Sequence, residues 1–422
     1  MSLPERPRLR RVESFPVSQP GGEVVFALRD PEGFAGSIVV PYPAAIMASL
    51  MDGSRTLAEL QGEFARQTGA QASLDEIEGL VREFDARSLL DTEQFRARWK
   101  RDIEQYLNSP VRPAAHAGGA YEAEPDALAR QLAALFTHAK GPGTLPEPNG
   151  KVGSGLRGVI SPHIDLHRGG PAFAWAYKQL IEHSDADLFV LFGTAHNPMR
   201  NLFALTKKSF ATPLGVVETD KKFVARLAAR FAAQPGCKDI NLYADELAHR
   251  HEHSLEFQVV FLQYLLGSSR PFKIVPVLTG SFHEFVAAGR SPSTSQEVIA
   301  FVAAMRETVA EHQGKVAYVS GSDLAHIGQR FGDRAFLDPA RLKEQAEDDQ
   351  RLLAAACRAD AEAFFNHVAS QQDRNRICGL SPTYTMLQVM QPKRGELLRY
   401  DQAVELDGTS CVSFASAAFY DE

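Results

Sequence analysis

From Leu156 onward the sequence alternates short apolar runs with amphipathic stretches of helical period, and several of the apolar runs end abruptly in polar residues. Strands separated by helix-length segments point to an α/β fold, a central mostly parallel sheet flanked by crossover helices. Sheets of this kind place their binding crevices outside the carboxyl ends of the strands. The sharpest example is Gly158 to Gly170, where an apolar run stops at Ser161, Pro162 and His163 and is followed by Asp165, His167, Arg168 and Gly169-Gly170. Strands are expected at 158–161, 188–192, 202–205, 273–278, 316–319 and 412–418. Helices are expected at 171–182, 221–233, 254–266, 295–312, 343–357, 360–369 and 382–391, with an exposed turn-rich insertion at 288–296.

Polar side chains recur at the ends of these runs. The run 188–192 leads into Gly-Thr-Ala-His196, and the run 316–319 into Ser-Gly-Ser-Asp323-Leu-Ala-His326. Between them lies a cluster with His249, His251, His253 and Glu256, and near the end Arg376-Ile-Cys378-Gly379 precedes a helix. A lone loop histidine is most often an ordinary hydrogen-bonded group. Here His163, His196 and His326 each close a separate run, and that repetition favours a shared site. Ring nitrogens converging with a thiolate match the ligand chemistry of Zn, Fe or Cu. Cys378 gains from a helix N-terminus, which favours the thiolate. Of the 249–253 cluster, His253 is the functional candidate; His249 and His251 are expected at the surface, and Glu256 either accepts from His253 or caps the helix. Asp165 and His167 have two readings: they orient a ligand ring, or with Arg168 they bind the end of a substrate. His116 and His283 stand in ordinary polar contexts, and Cys237, Cys357 and Cys411 read as structural.

A chain of 422 residues exceeds the usual single domain. Residues up to about 22 read as a loose lead-in, with Arg6, Arg8, Arg10 and Arg11 solvated. Thr56-Leu-Ala-Glu59 and Ser73-Leu-Asp-Glu76 fit capping boxes, each opening an amphipathic helix. A short strand or wing at 87–92 and a third helix at 93–108 follow, so 1–108 is expected to be a small α+β, winged-helix-like domain. Residues 109–119 (SPVRPAAHAGG) form the expected linker, and 120–422 the α/β domain. Residues 140–155 hold three prolines and five glycines and must be a loop. The net charge of −7 and the acidic Glu76, Glu78, Glu83 and Asp85 argue against nucleic acid. The most apolar window is broken by Pro41 and Pro43 and is too short to span a bilayer, so no membrane role is expected. Four scattered cysteines and no evident leader suggest the reducing cytoplasm.

The segments "LMDGSRTLAELQGEF" and "DEIEGLVREFDARSLLD" resemble PqqD-type peptide-recognition modules; a helical cap on the larger domain is the alternative. From about Arg112 to Tyr420 the chain resembles the Memo family, including bacterial proteins called AmmeMemoRadiSam system protein B. The resemblance is carried in order by "GVISPHIDLHRGG", "LFGTAHNP", "DELAHRHEHSLEFQVVFLQYL", "IVPVLTG", "SGSDLAHIGQRFG" and "CGLSPT". It implies a fold like the class III extradiol dioxygenases, with His163, His196 and Cys378 as metal ligands. His326, Asp323 and His253 would be the catalytic residues. Cys378 stands where the dioxygenases keep a carboxylate; Fe(II) is the expected ion, with Cu or Zn as alternatives. Two departures alter the pocket wall: Ile-Asp-Leu-His-Arg where the family usually has Ala-Gly-Tyr-x-Tyr, and His196-Asn197 where a His-His pair is common.

Three functions remain in play. The first is a metal-dependent redox enzyme acting on a small aromatic or peptidyl substrate. The second is a non-catalytic peptide-binding or metal-sequestering scaffold working with radical-SAM and AMMECR-type partners. The third is a hydrolase with Cys378 as nucleophile, His326 as base and Asp323 orienting it.

Overall fold

The computed structural model describes residues 3–18, 24–30, 32–36, 38–147, 155–267 and 269–421; part of the loop expected at 140–155 and the end of the expected lead-in lie outside them. The chain forms two compact units, Met1–Asn108 and Ser109–Glu422.

In the first unit β1 (Glu13–Ser18), β2 (Val24–Arg29) and β3 (Ile38–Pro41) make an antiparallel sheet in that order, followed by α1 (Tyr42–Leu50), α2 (Leu57–Thr68), α3 (Leu74–Ala86) and α4 (Glu93–Asn108). Both capping boxes are present, Thr56 with Glu59 and Ser73 with Glu76. Leu60, Phe64, Ile77, Val81 and Phe84 are buried along the facing sides of α2 and α3. The expected lead-in is structured instead, because Glu13–Ser18 finds an edge to pair with. Arg10 is buried, not solvated: it is ion-paired to Asp30 at 3.0 Å, with its guanidinium 3.8 Å from the Phe95 ring centroid. The strand expected at 87–92 is reduced to a single bridge between Leu90 and Leu9.

The second unit runs β4 (Val111–Arg112), α5 (Pro125–Thr137), β5 (Leu156–Ser161), α6 (Leu166–His183), β6 (Leu188–Thr194), β7 (Phe203–Leu205), β8 (Ser209–Thr212), β9 (Gly215–Val217) and α7 (Lys221–Ala233). It continues with α8 (His253–Leu266), β10 (Lys273–Thr279), α9 (His283–Ala288), α10 (Gln296–Ala310), β11 (Val316–Gly321), β12 (Asp323–Ile327), α11 (Pro339–Cys357), α12 (Ala361–Ala369), α13 (Leu380–Met390), β13 (Arg394–Val404) and β14 (Cys411–Tyr420). An eight-stranded sheet has the order β12-β14-β5-β11-β6-β10-β7, with β13 on β14. Its centre, β5-β11-β6-β10, is parallel. The flanks are not: β7, β12, β13 and β14 all pair antiparallel. The sheet is therefore mixed rather than mostly parallel. Only the four central strands are joined by crossover helices, whereas β13 and β14 form a hairpin. Among the described residues no helix is long and apolar enough to cross a membrane.

The expected linker is also different. Residues 109–119 belong to the second unit: β4 pairs with β8, and Arg112 is fully buried. A guanidinium at zero exposure requires partners, and it finds Glu256 and the carbonyls of His249 (2.6 Å) and Glu252 (2.7 Å). That anchorage turns a Pro/Ala-rich stretch into a strap.

Candidate metal centre

The parallel strands β5, β11 and β6 are neighbours, so their carboxyl ends deliver side chains to one rim. His163 lies just past β5, His196 just past β6, and Asp323 just past β11 at the start of β12. Helix α8 packs across the same rim and brings Glu252 and His253 at its N-terminus. Its approach requires glycine at two strand ends. A Cβ on Gly193 would lie 2.5 Å from Ser254 Oγ, and one on Gly321 would lie 2.4 Å from the Ser254 carbonyl oxygen. Cys378 arrives from the other side, on the loop that enters α13.

These side chains meet. Cys378 Sγ is 3.3 Å from His163 Nε2. One ligand atom from each of His163, His196 and Cys378 lies within 4.8 Å of the others. The ring centroids of His163 and His196 are 5.0 Å apart, those of His163 and His253 5.3 Å, and those of His196 and His253 4.6 Å. Ligand bonds of about 2.0–2.3 Å place donor atoms roughly 3–4 Å apart, so the three donors need only small rotations to share an ion.

The surrounding groups orient the rings. His163 Nδ1 donates to the Gly321 carbonyl at 2.8 Å, which leaves Nε2 with its lone pair facing Cys378. His196 Nδ1 donates to Glu252 Oε1 at 2.9 Å, and its backbone N–H to Oε2 at 2.8 Å. Imidazole ligands of metals are commonly held by just such a carbonyl or carboxylate on the far nitrogen. The His163 side chain is 2% exposed and that of His196 38%, so the constellation opens on the His196 side. There a cavity of about 290 Å³ is bounded by His196 and Cys378 together with Ser281, Phe282, His283 and Arg376. Two larger hollows, of about 540 and 460 Å³, contain none of the constellation.

Burial and charge divide the titratable groups. Burial and the neighbouring His196 push the His163 pKa down to about 3, so the imidazole is neutral at physiological pH. His253 is driven well below the usual value, chiefly by burial. For His196 burial opposes the charge, but the Glu252 carboxylate prevails and raises its pKa. Burial would raise Glu252, yet the charge and hydrogen bonds of His196 hold it well below the carboxylate range. Burial raises Asp323 to about 6. The Cys378 thiol is pushed well up by burial and by Asp323; a coordinated cation would reverse that. The donor set of two oriented imidazoles and one thiol aimed at them fits a soft to borderline divalent or monovalent ion.

His326 stands on β12 with Nδ1 donating to the Leu324 carbonyl at 3.2 Å and its ring 5.1 Å from Phe331. Burial lowers its pKa, leaving it neutral. Several expectations need correction. Asp165 caps α6 and binds the Arg168 guanidinium at 2.5 Å, and His167 is exposed, so neither orients a ligand ring. His249 is 1% exposed rather than at the surface, with its pKa pushed down to about 3 by burial and Arg112. His251 is half-buried. Glu256 neither accepts from His253 nor caps α8; it takes Arg112, the Tyr121 hydroxyl and the His116 N–H (2.9 Å). The cap is Glu252, which accepts from Ser254 N at 3.0 Å. Glu252 and Arg112 had no signal in the sequence beyond being charged residues close to histidines or prolines.

The Memo-like protein family profile matches residues 112–418. The chain belongs to this family. A MEMO1 family protein of Aquifex aeolicus is 29% identical over 405 residues, covering 95% of this chain and 97% of its own. Such a match must take in most of the first unit as well. MEMO1 family proteins of Methanopyrus kandleri (29% identity, 73% of this chain, 98% of that one) and Methanothermobacter thermautotrophicus (30% identity, 72% and 99%) cover a length close to that of the second unit. The Memo-like segment thus begins at the buried Arg112, the residue that ties the strap to the site.

Proposed function

We propose that this Memo-like chain is a metal-dependent, dioxygenase-like redox enzyme in which His163, His196 and Cys378 hold one ion. Fe(II) is the expected ion, with Cu or Zn accommodated by the thiolate. The reading is carried by one observation: Cys378 Sγ faces His163 Nε2 at 3.3 Å although the two lie 215 positions apart. A bound ion would supply Lewis acidity and redox chemistry on the side facing the cavity. Glu252 fixes the tautomer of His196, and the Gly321 carbonyl does the same for His163. Asp323, with a pKa near 6, can hold or release a proton near neutrality, and the neutral His326 on the same strand can accept one. His253, kept neutral, stacks on the His196 ring at 4.6 Å and orients it toward the cavity, whose size suits a small aromatic or peptidyl group. The first unit, with its two capped helices beside a small sheet, is read as a recognition module of PqqD-like, winged-helix type.

The hydrolase reading is disfavoured, because Cys378 contacts His163 and its thiol is pushed up rather than activated. Anaerobic Fe(II) titration tests the proposal: the wild type takes up about one equivalent, and His163→Ala and Cys378→Ala each lose most of that affinity. No binding at micromolar Fe(II) ends the reading. Metal uptake without oxygen consumption on any aromatic or peptidyl substrate favours the scaffold role instead.

A further inference from the structure

The loop between α12 and α13 that delivers Cys378 has an unusual backbone. Gln372, Asp373 and Arg376 have φ of +51°, +49° and +54°, left-handed values that non-glycine residues seldom adopt. Such a segment persists only when its surroundings over-determine it. Asn375, 3% exposed, lies in the middle of it. Its Nδ2 donates to Asp348 Oδ2 at 3.1 Å, and its Oδ1 accepts from Arg341 Nη2 at 2.8 Å, so both ends of the amide are tied to α11. Its backbone carbonyl accepts from His326 N at 2.8 Å. The next residue, Arg376, returns to the same strand by donating to the His326 carbonyl at 3.0 Å and to Asp333 at 2.6 Å. Gly379 N donates to the Asp323 carbonyl at 3.0 Å. The amide side chain thus ties the loop bearing Cys378 to α11, from outside the ion's reach, while the backbone of Asn375 and Gly379 and the Arg376 guanidinium join that loop to the strand bearing Asp323 and His326.

We infer that Asn375 is a positioning residue, clamped between Asp348 and Arg341, that sets where the Cys378 sulfur meets the imidazoles. The inference rests on the reading of His163, His196 and Cys378 as metal ligands. Asp348 keeps His367 (3.1 Å) and Gln371 (3.2 Å) as donors when Asn375 is replaced, so loss of the amide need not unfold the unit. The test uses the full chain with Co(II), whose thiolate-to-metal charge-transfer absorption reports the Cys378 bond directly. Asn375→Leu is expected to lower Co(II) affinity by about 10–100-fold and to weaken that band, while Cys378→Ala abolishes the band. Arg341→Met, which frees the other end of the amide at a half-buried position, is expected to shift both in the same direction by less. It also keeps the test alive should Asn375→Leu fail to fold. Retention of wild-type affinity and band in the folded variants overturns the positioning role, even with a lowered melting temperature. Absence of Co(II) binding in the wild type overturns the ligand reading itself.

Discussion

Glu252 and Asp323 are buried carboxylates, each 2% exposed, one beside His196 and the other beside His163. They titrate in opposite directions. Glu252 receives the His196 backbone N–H, the His196 ring and Ser254 N, with His253 at 3.4 Å, and is held as an anion. Asp323 receives the His163 backbone N–H at 2.9 Å but lies 3.7 Å from the His163 ring, and burial raises it to about 6. Burial alone does not decide the charge of a carboxylate; the donors and cations that replace water do. One side of the site is a fixed anchor, the other a group that can exchange a proton near neutrality.

Breaking the anchored side carries the largest expected effect. Glu252→Leu strands the His196 N–H and ring without an acceptor, and about 3–5 kcal/mol of stability should be lost in chemical denaturation. Because Glu252 is lowered in the fold, its contribution is present above its ordinary value of 4.5 and lost as pH falls through the folded one. On the other side the sign reverses. Asp323 is raised from 3.8 to about 6, so its contribution is present below the lower value and lost as pH rises through the higher. Metal-free Asp323→Asn should therefore exceed the wild type by up to about 3 kcal/mol well above pH 6. The gap should vanish well below pH 4. An equal gap at both pH values would contradict the raised carboxyl. Gly379→Ala sharpens the contrast sterically, since its Cβ would come within 2.3 Å of the Asp323 carbonyl oxygen. A loss of about 1–3 kcal/mol and weaker metal binding are expected, and a variant indistinguishable from wild type in both would show that the approach can relax. The smallest effect belongs to Ser254→Ala, which removes the 2.8 Å bond to the Thr194 carbonyl on the anchored side for about 1 kcal/mol. Thermal melts resolve it, and no change in metal affinity should accompany it.

What was legible in the sequence was local. The boxes at Thr56 and Ser73 close within one helical turn, so three-residue spacing alone identifies them. The central strands were readable because strands buried on both faces are continuous apolar runs, and their ends point to one rim once they are parallel. The antiparallel flank was not readable. β13 is half-exposed throughout and lacks an apolar run, and β12 contains Asp323 and His326 in a bulged register. Nor were the caps: Asp165 reads as a site residue and Glu252 as one more charge among histidines, and only the direction of their oxygens shows that the first caps α6 while the second both caps α8 and holds the His196 ring.

Sequence by itself determined the α/β alternation, the capped helices of the first unit and the polar residues at each strand end, since these depend on periodicity and short-range hydrogen bonding. Tertiary structure alone decided which polar side chains are buried together. Arg112 reaches Glu256 across 144 positions, Glu252 reaches His196 across 56, and Cys378 reaches His163 across 215. Those contacts hold because each partner replaces the water that burial removes, and no spacing along the chain records where water is absent.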